Sequence, residues 1–405
     1  MLQIVSLISA KLFSDYYSTI TTVLVVSLLL YSLYQFVLFP PFGEGNKKKY
    51  CGNFKCSDPH FAALRARSFP PPFPNGWFKL CDVTDLDGGN VVSVSALGLE
   101  LVVFQGRIGR QIGVLDAFCP HMGAHLGQGG VVEGDCLKCP FHAWKLGTDG
   151  QCQSIPYTTV AVPKTAVAKT YRHMIWMGMV MLWYHADGEE PTFDLQPHPE
   201  IERRWTRYGT KTTSYKMHIT DMAENAADYF HFNHLHEEMP IPILKWFVTM
   251  KYDTKMYFNE DPKLKHCCYF DNYSYVYLFR RWHFKWYTQK VVVTFEGPGL
   301  VHFDIRTPLG NLWLVKSNIP RRPFEIYSED TWYGDRSIPR WLVYLIATIS
   351  QGALEQDRRV WENRLYTNKP HLVKGDGPFL RYRQWFDQFY SESSCPMTLF
   401  NSAEW

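Results

Sequence analysis

Two Cys/His pairs lie close together in the segment CPHMGAHLGQGGVVEGDCLKCPFHAW. One residue separates Cys119 from His121, and two separate Cys139 from His142. Thiolates and imidazoles are the ligands that proteins use for structural zinc and for iron–sulfur clusters. A zinc site of this composition usually has a cysteine pair followed by a histidine pair on a helix. The alternating order therefore favours a [2Fe–2S] cluster, with both cysteines on one iron and both histidines on the other.

A second group of possible metal ligands follows in the segment ENAADYFHFNHLHEE, which is predicted to be helical. It offers Asp228, His231 and His236 at intervals of three and five positions. Two imidazoles and a carboxylate that leave coordination positions open can bind Fe(II) and O₂. The alternative is an ordinary solvated or core helix face, since His234 lies between the two histidines.

The two Cys/His pairs need short loops to present them, and the sequence around them predicts such loops. From about residue 80 to 184 the sequence alternates β-like runs with glycine- and aspartate-containing turns. The character changes near Pro191, where a helical stretch precedes several long β-like runs and a final helical run over about 338–364. This order predicts an α+β protein: an all-β unit, then a domain whose large antiparallel sheet can hold a ligand.

The amino terminus contains a long apolar run. Residues 20–39 carry no charge and would span about 30 Å as a helix, which predicts a transmembrane helix. Pro40 and Pro41 end the run and Lys47, Lys48 and Lys49 follow, so the catalytic part is expected on the cytosolic side of a single-pass anchor. A cleaved signal peptide and a buried core helix are the alternatives.

Composition excludes other classes. The net charge of +3 and the 20% of charged residues are too mild to indicate nucleic-acid binding. The chain has no glycine-rich phosphate loop, so a nicotinamide or flavin site on it is not expected. Ten cysteines in 405 residues form no regular disulfide framework. Those outside the two pairs are expected to be free thiols in a reducing compartment.

The segments CPHMGAHL and CPFHAWKLGTDG, with Gly127, Gly129 and Gly130 between them, resemble those of Rieske [2Fe–2S] domains. Respiratory Rieske proteins carry an additional cysteine in each ligand loop, whereas this chain has Ala124 and Phe141 at those positions. The resemblance therefore implies the oxygenase type. Met122 and Ala143 depart from the commoner arginine and glycine, and neither change removes a ligand.

With the second motif included, the chain resembles Rieske non-haem iron oxygenases. The resemblance implies that His231 and His236 bind a mononuclear Fe(II), and that Asp228 bridges to a cluster histidine of the adjoining subunit. It implies a third ligand on a late helix, where Asp357 is our prediction and Glu362 the fallback. Asn225 is expected either to support the site by hydrogen bonding or to be an ordinary helix-surface residue. The implied domains are an anchor (1–40), a linker (41–74), a Rieske domain (75–188) and a helix-grip catalytic domain (189–405).

The anchor and the aromatic-rich strands resemble the steroid branch of that family, which contains bacterial ketosteroid hydroxylases and the animal cholesterol 7-desaturases called Neverland. The resemblance implies C7–C8 desaturation of cholesterol with O₂ and electrons from NAD(P)H through a separate reductase. It also implies a head-to-tail homotrimer and, for an anchored enzyme, the endoplasmic reticulum as its membrane. The alternatives are hydroxylation of a sterol or ketosteroid ring, a membrane-tethered electron carrier without catalysis, and a plant-type pheophorbide or chlorophyllide oxygenase.

Overall fold

The computed structural model describes residues 43–44, 59–239 and 246–400. The predicted membrane helix at 20–39 lies outside these residues. Within the described ranges, no helix combines the length and the apolar character needed to cross a bilayer.

The first part of the described chain consists of short antiparallel strands, as the alternating pattern predicts. Strand β1 (Gly43–Glu44) belongs to the second part of the fold. Three small sheets have the orders β10-β11-β2, β3-β4-β5 and β6-β7-β8-β9. Their strands are β2 (Gly76–Asp82), β3 (Val91–Ala96), β4 (Leu99–Gln105), β5 (Ile112–Asp116), β6 (Val131–Glu133), β7 (Cys136–Lys138), β8 (Lys145–Leu146), β9 (Cys152–Ser154), β10 (His173–Trp176) and β11 (Met179–Tyr184).

The second part is one large sheet with helices, which confirms the α+β class. The order of its eight described strands is β1-β12-β18-β17-β16-β15-β14-β13, antiparallel except between β1 and β12. The strands are β12 (Thr206–Tyr215), β13 (Val248–Phe258), β14 (Cys267–Leu278), β15 (Trp282–Glu296), β16 (Leu300–Thr307), β17 (Gly310–Arg322) and β18 (Glu325–Gly334). The α-helices are α1 (Pro59–Ser68), α2 (Pro199–Arg204), α3 (Ile219–Asn225), α4 (Tyr229–Leu235), α5 (Arg340–Trp361) and α6 (Phe379–Asp387).

Part of the predicted linker at 41–74 is helical. Helix α1 lies inside it, and the side chain of Arg65 on this helix is buried. That side chain donates to the carbonyl oxygens of Trp361 and Lys216 and lies 3.7 Å from Asp221. Because these partners are distant in sequence, the local sequence of the linker could not reveal them.

The two parts share a hydrophobic core. Phe78 and Leu101 from the small sheets belong to the same buried cluster as Tyr215 and Phe270 from the large one. At the β15–β16 turn the backbones come very close, since a Cβ added at Gly299 would lie 2.6 Å from the carbonyl oxygen of Trp77. This packing stabilises the orientation of the small sheets against the large one.

Candidate active site

The first Cys/His group is presented by two loops of matching design. The Cys119 amide donates to the carbonyl of Ala124, and the Cys139 amide donates to the carbonyl of Trp144. Each loop thus closes five residues after its cysteine. The four ligands come together as predicted, with the His121 and His142 rings 4.8 Å apart at their centroids and both cysteines 3% exposed.

Neighbouring aromatic rings hold the two imidazoles. The His121 ring stacks on Trp144, whose indole nitrogen donates to the Tyr157 hydroxyl over 2.7 Å. The Nδ1 atom of His142 is buried and has no hydrogen-bond partner among the described residues. Such an atom is costly to bury unless something binds it, and a metal ion does so.

The two thiols face each other in a desolvated position. Burial, followed by the contact with Cys139, raises the pKa of Cys119 to about 11. A buried pair of thiols beside two imidazoles is the donor set of a Cys₂His₂ cluster, in which metal ions replace the thiol protons.

The second group is assembled from two helices that are distant in sequence. His231 lies on α4, His236 is the residue at the carboxyl end of that helix, and Asp357 lies on α5. Their nearest ligand atoms all lie within 4.8 Å of one another, and His236 and Asp357 are buried. The structure therefore brings together the three residues that the sequence predicted as iron ligands.

The contacts within this group leave metal-binding atoms free. Nδ1 of His231 donates to the Asp228 carbonyl over 2.5 Å, and its buried Nε2 has no hydrogen-bond partner in the described chain. Nε2 of His236 lies 3.1 Å from Oδ1 of Asp357. That Oδ1 atom also has no hydrogen-bond partner in the described residues, so the contact lacks hydrogen-bond geometry. Two imidazole nitrogens and one carboxylate oxygen thus converge as ligands of a common ion would.

The carboxylate also affects the two imidazoles. Burial acts to lower the pKa of His236, but Asp357 and Gln356 outweigh it, so that pKa is raised. Burial lowers the pKa of His231, and Asp357 offsets this only in part. A buried carboxylate beside one buried and one partly buried imidazole places negative charge where a divalent cation would bind.

The other predicted site residues are placed as follows. Asp228 caps α4, accepting from the amides of Phe230 and His231, and its side chain is 43% exposed. Asn225 ends α3, and its carbonyl accepts from the Asp228 amide. Glu362 accepts from Arg358 and from the Lys216 amide instead of joining the two histidines. The bridging role of Asp228 and the support role of Asn225 remain predictions.

Two residues that sequence analysis did not identify orient the ligands. The side-chain oxygen of Gln356 lies 2.9 Å from Nδ1 of His236, so that nitrogen donates to it and Nε2 is directed at the metal position. The Tyr252 hydroxyl donates to the His236 carbonyl over 3.2 Å. Gln356 could have been suspected from the sequence because it precedes the predicted ligand Asp357. Tyr252 lies on β13, and no sequence pattern connects it to the site.

Buried ion pairs anchor the helix that precedes the ligands. On α3, Asp221 accepts from Arg364 over 2.5 Å, and Glu224 accepts from Arg364 and Arg383. Removing one partner of such a pair leaves a buried charge uncompensated. The network therefore ties α3 to the carboxyl-terminal part of the chain.

Two families of known proteins match the parts of the chain that contain the two ligand groups. Residues 76–171 match the Rieske [2Fe-2S] domain family. Residues 182–263 and 335–390 match the 3-ketosteroid 9alpha-hydroxylase C-terminal domain. The two matches include all seven residues of the two ligand groups.

Full-length relatives identify the family. A cholesterol 7-desaturase, nvd 1, from Ciona intestinalis is 32% identical over 395 residues, which cover 92% of this chain and 83% of the relative. The chain belongs to the cholesterol 7-desaturase family of Rieske oxygenases. A more distant relative is the oxygenase component of 3-ketosteroid-9-alpha-monooxygenase from Rhodococcus rhodochrous, 27% identical over 80% of this chain and 82% of its own length. The fold resembles that of dicamba monooxygenase, with a TM-score of 0.59 at 14% identity over 78% of this chain and 97% of that one.

As a Rieske oxygenase the protein is an oxidoreductase that uses a [2Fe–2S] cluster and a mononuclear non-haem iron. The residues present fit both groups, because buried donor atoms without partners lie at each position. Cys119, His121, Cys139 and His142 would hold the cluster, which supplies single electrons. His231, His236 and Asp357 would hold the iron, which provides open positions for O₂.

Proposed function

We propose that this protein desaturates cholesterol between C7 and C8, giving 7-dehydrocholesterol for steroid hormone synthesis. The observation that carries the proposal is the convergence of His231, His236 and Asp357 in a chain that shares 32% of its residues with a cholesterol 7-desaturase along nearly its whole length. One sterol, one O₂, one NAD(P)H and one proton give the diene, NAD(P)⁺ and two waters. Two hydrogen atoms leave the substrate, and the double bond forms between their carbons.

The residues of the chain determine the ligand positions during this reaction. Nδ1 of His231 is held by a carbonyl and Nδ1 of His236 by Gln356, so neither ring can rotate its Nε2 away. Asp357 neutralises part of the charge of a divalent ion. The surrounding burial excludes water, which strengthens these interactions.

Electrons would come from a separate NAD(P)H-dependent reductase, because the sequence indicates no nicotinamide or flavin site. Electron transfer between cluster and iron is proposed to occur between neighbouring subunits of a head-to-tail homotrimer. The half-exposed carboxylate of Asp228 supports this proposal, since it lies beside His231 and is accessible to an adjoining chain. Membrane attachment through residues 20–39, with the catalytic part cytosolic and the endoplasmic reticulum as the membrane, completes the proposal.

Ring hydroxylation is the second candidate, favoured by the match of the carboxyl-terminal region to the ketosteroid hydroxylase domain. Both reactions begin by removing hydrogen from a ring carbon. The ligands alone do not distinguish between them.

The test is to incubate the purified protein with a reductase, NADPH and cholesterol and to identify the product by mass spectrometry. Loss of two mass units supports desaturation, whereas a gain of sixteen overturns it in favour of hydroxylation. His231→Ala should abolish the product. The matched control is His234→Ala on the same helix, because His234 is exposed and should be dispensable. Turnover by the His231→Ala protein would contradict the assignment of the iron site.

A further inference from the structure

The β14–β15 hairpin ends in an exposed aromatic surface. The rings of Phe247 and Phe279 lie 5.5 Å apart, and those of Phe279 and Trp282 lie 5.7 Å apart. Trp246 is 70% exposed and Trp282 is 62% exposed. We call Trp246, Phe247, Phe279 and Trp282 the aromatic tip. Contiguous exposed apolar surface on a folded protein marks a site of interaction with a partner or a membrane.

The turn that presents this surface has an unfavourable backbone conformation. Phe279 and Arg280 have φ values of 51° and 57°, in the left-handed region. Each such residue costs about 1–2 kcal/mol relative to glycine, and asparagine and glycine are the residues that favour such turns. Phenylalanine and arginine at these two positions therefore carry a cost that asparagine and glycine would avoid.

Basic side chains accompany the aromatic rings. Arg280, Arg281 and Lys285 are exposed at this end of the hairpin, and Glu238, which pairs with Arg280 over 2.8 Å, is the acidic side chain bonded to them. Tryptophan together with arginine and lysine is the composition of protein surfaces that lie in the interface of a bilayer. Positive charge complements the anionic lipids of a cytosolic leaflet.

Strand β13 connects the tip to the predicted iron ligands. Strand β13 begins two residues after Trp246, and its fifth residue, Tyr252, bonds to the carbonyl of His236. Four residues of a strand extend about 13 Å. The Met250 amide donates to the carbonyl of Glu237, so the segment after His236 runs along the same strand.

We propose that the aromatic tip inserts into the surface of an anionic lipid bilayer and that apolar substrate passes from the bilayer to the iron site along β13. The bilayer contact stands independently, whereas the substrate route rests on the proposed function. The surface makes contact with lipid in addition to any anchor at 20–39.

The experiment uses the full-length holoprotein in nanodiscs that contain phosphatidylserine and a phospholipid with a photoactivatable diazirine on its acyl chain. After irradiation, labelled peptides are identified by mass spectrometry. We expect label on residues 246–248 and 278–283. Ile108, which is 79% exposed on a loop of the small sheets, is the internal control and should remain unlabelled.

The variant is Phe279→Asn combined with Arg280→Gly, which relieves the backbone strain and should not impair folding. Its label at 246–248 should fall about tenfold, since an aromatic ring and a cation are lost. The wild-type label at the tip should also be about fivefold lower in phosphatidylcholine nanodiscs for each basic residue engaged.

Absence of label at the tip would overturn the proposal, as would label at Ile108 as strong as that at the tip. Labelling does not require turnover, so failure of the bilayer contact can be distinguished from failure of the proposed function. An unlabelled tip with formation of 7-dehydrocholesterol refutes the bilayer contact and the substrate route and leaves the proposed function intact. A labelled tip without sterol turnover supports the bilayer contact and refutes the proposed function and the substrate route.

Discussion

The imidazole of His121 stacks on the indole of Trp144, with ring centroids 4.4 Å apart and planes inclined by 12°. Trp144 is 9% exposed and belongs to the core of the small sheets. The packing of one indole therefore connects the orientation of a cluster ligand to the stability of the domain.

Replacement of this indole should loosen the cluster. Trp144→Ala removes the stacked ring and should lower the free energy of unfolding by about 3–5 kcal/mol. Trp144→Phe keeps an aromatic face against His121 and should behave more like the wild type. The measurement is the rate at which visible cluster absorption is lost in the presence of a chelator. Equal rates for the two variants would contradict a role for stacking.

Ala143 occupies a backbone position that favours glycine. Its φ is 57°, and the residue in the same place of the other loop, Gly123, has a φ of 72°. Ala143→Gly should raise the free energy of unfolding by about 0.5–1 kcal/mol, after allowing for the greater freedom of glycine in the unfolded chain. Ala124→Gly, where the residue does not have a positive φ, is the control and should be destabilising. Thermal unfolding measures both.

Removal of the predicted third ligand should affect one iron and not the cluster. Asp357→Ala should lower the iron content from about three to about two per chain, while cluster absorption persists. Glu362→Gln should retain about three, since Glu362 bonds to Arg358 instead. Metal analysis combined with visible spectroscopy gives the answer. Loss of the third iron from the Glu362 variant alone would reverse the assignment.

Stability should fall in mild acid because His218 is buried. Burial lowers the pKa of His218 to about 3, against about 6.5 in an unfolded chain. Between these values the unfolded state binds a proton that the folded state excludes. The contribution of neutral His218 is thus complete above pH 6.5 and is lost as the pH falls toward 3. Below pH 6 the free energy of unfolding should fall by about 1.4 kcal/mol for each pH unit.

The check is chemical unfolding of the wild type and of His218→Asn between pH 7.5 and 5. The asparagine can still cap α3, where His218 now accepts from the Thr220 amide. The free energy of unfolding of His218→Asn should depend less steeply on pH than that of the wild type. Parallel curves would show that other groups cause the pH dependence.

The cluster ligands could be predicted from sequence because the chemistry is local. Cys119 and His121, like Cys139 and His142, lie within one loop each, so covalent geometry limits where their side chains can point. The helical motif containing His231 and His236 is local for the same reason. The α+β class followed from alternating and helical patterns, which are properties of short segments.

The tertiary structure decided the rest. Asp357 lies 121 positions after His236, and its approach to the two histidines, which the resemblance implied, depends on the packing of α5 near α4. The role of Gln356 follows from the direction of one side chain toward His236. Helix α1 is held by Arg65, whose partners come from two distant segments. Such contacts depend on chain folding over long separations, and a pattern read along neighbouring residues contains no information about them.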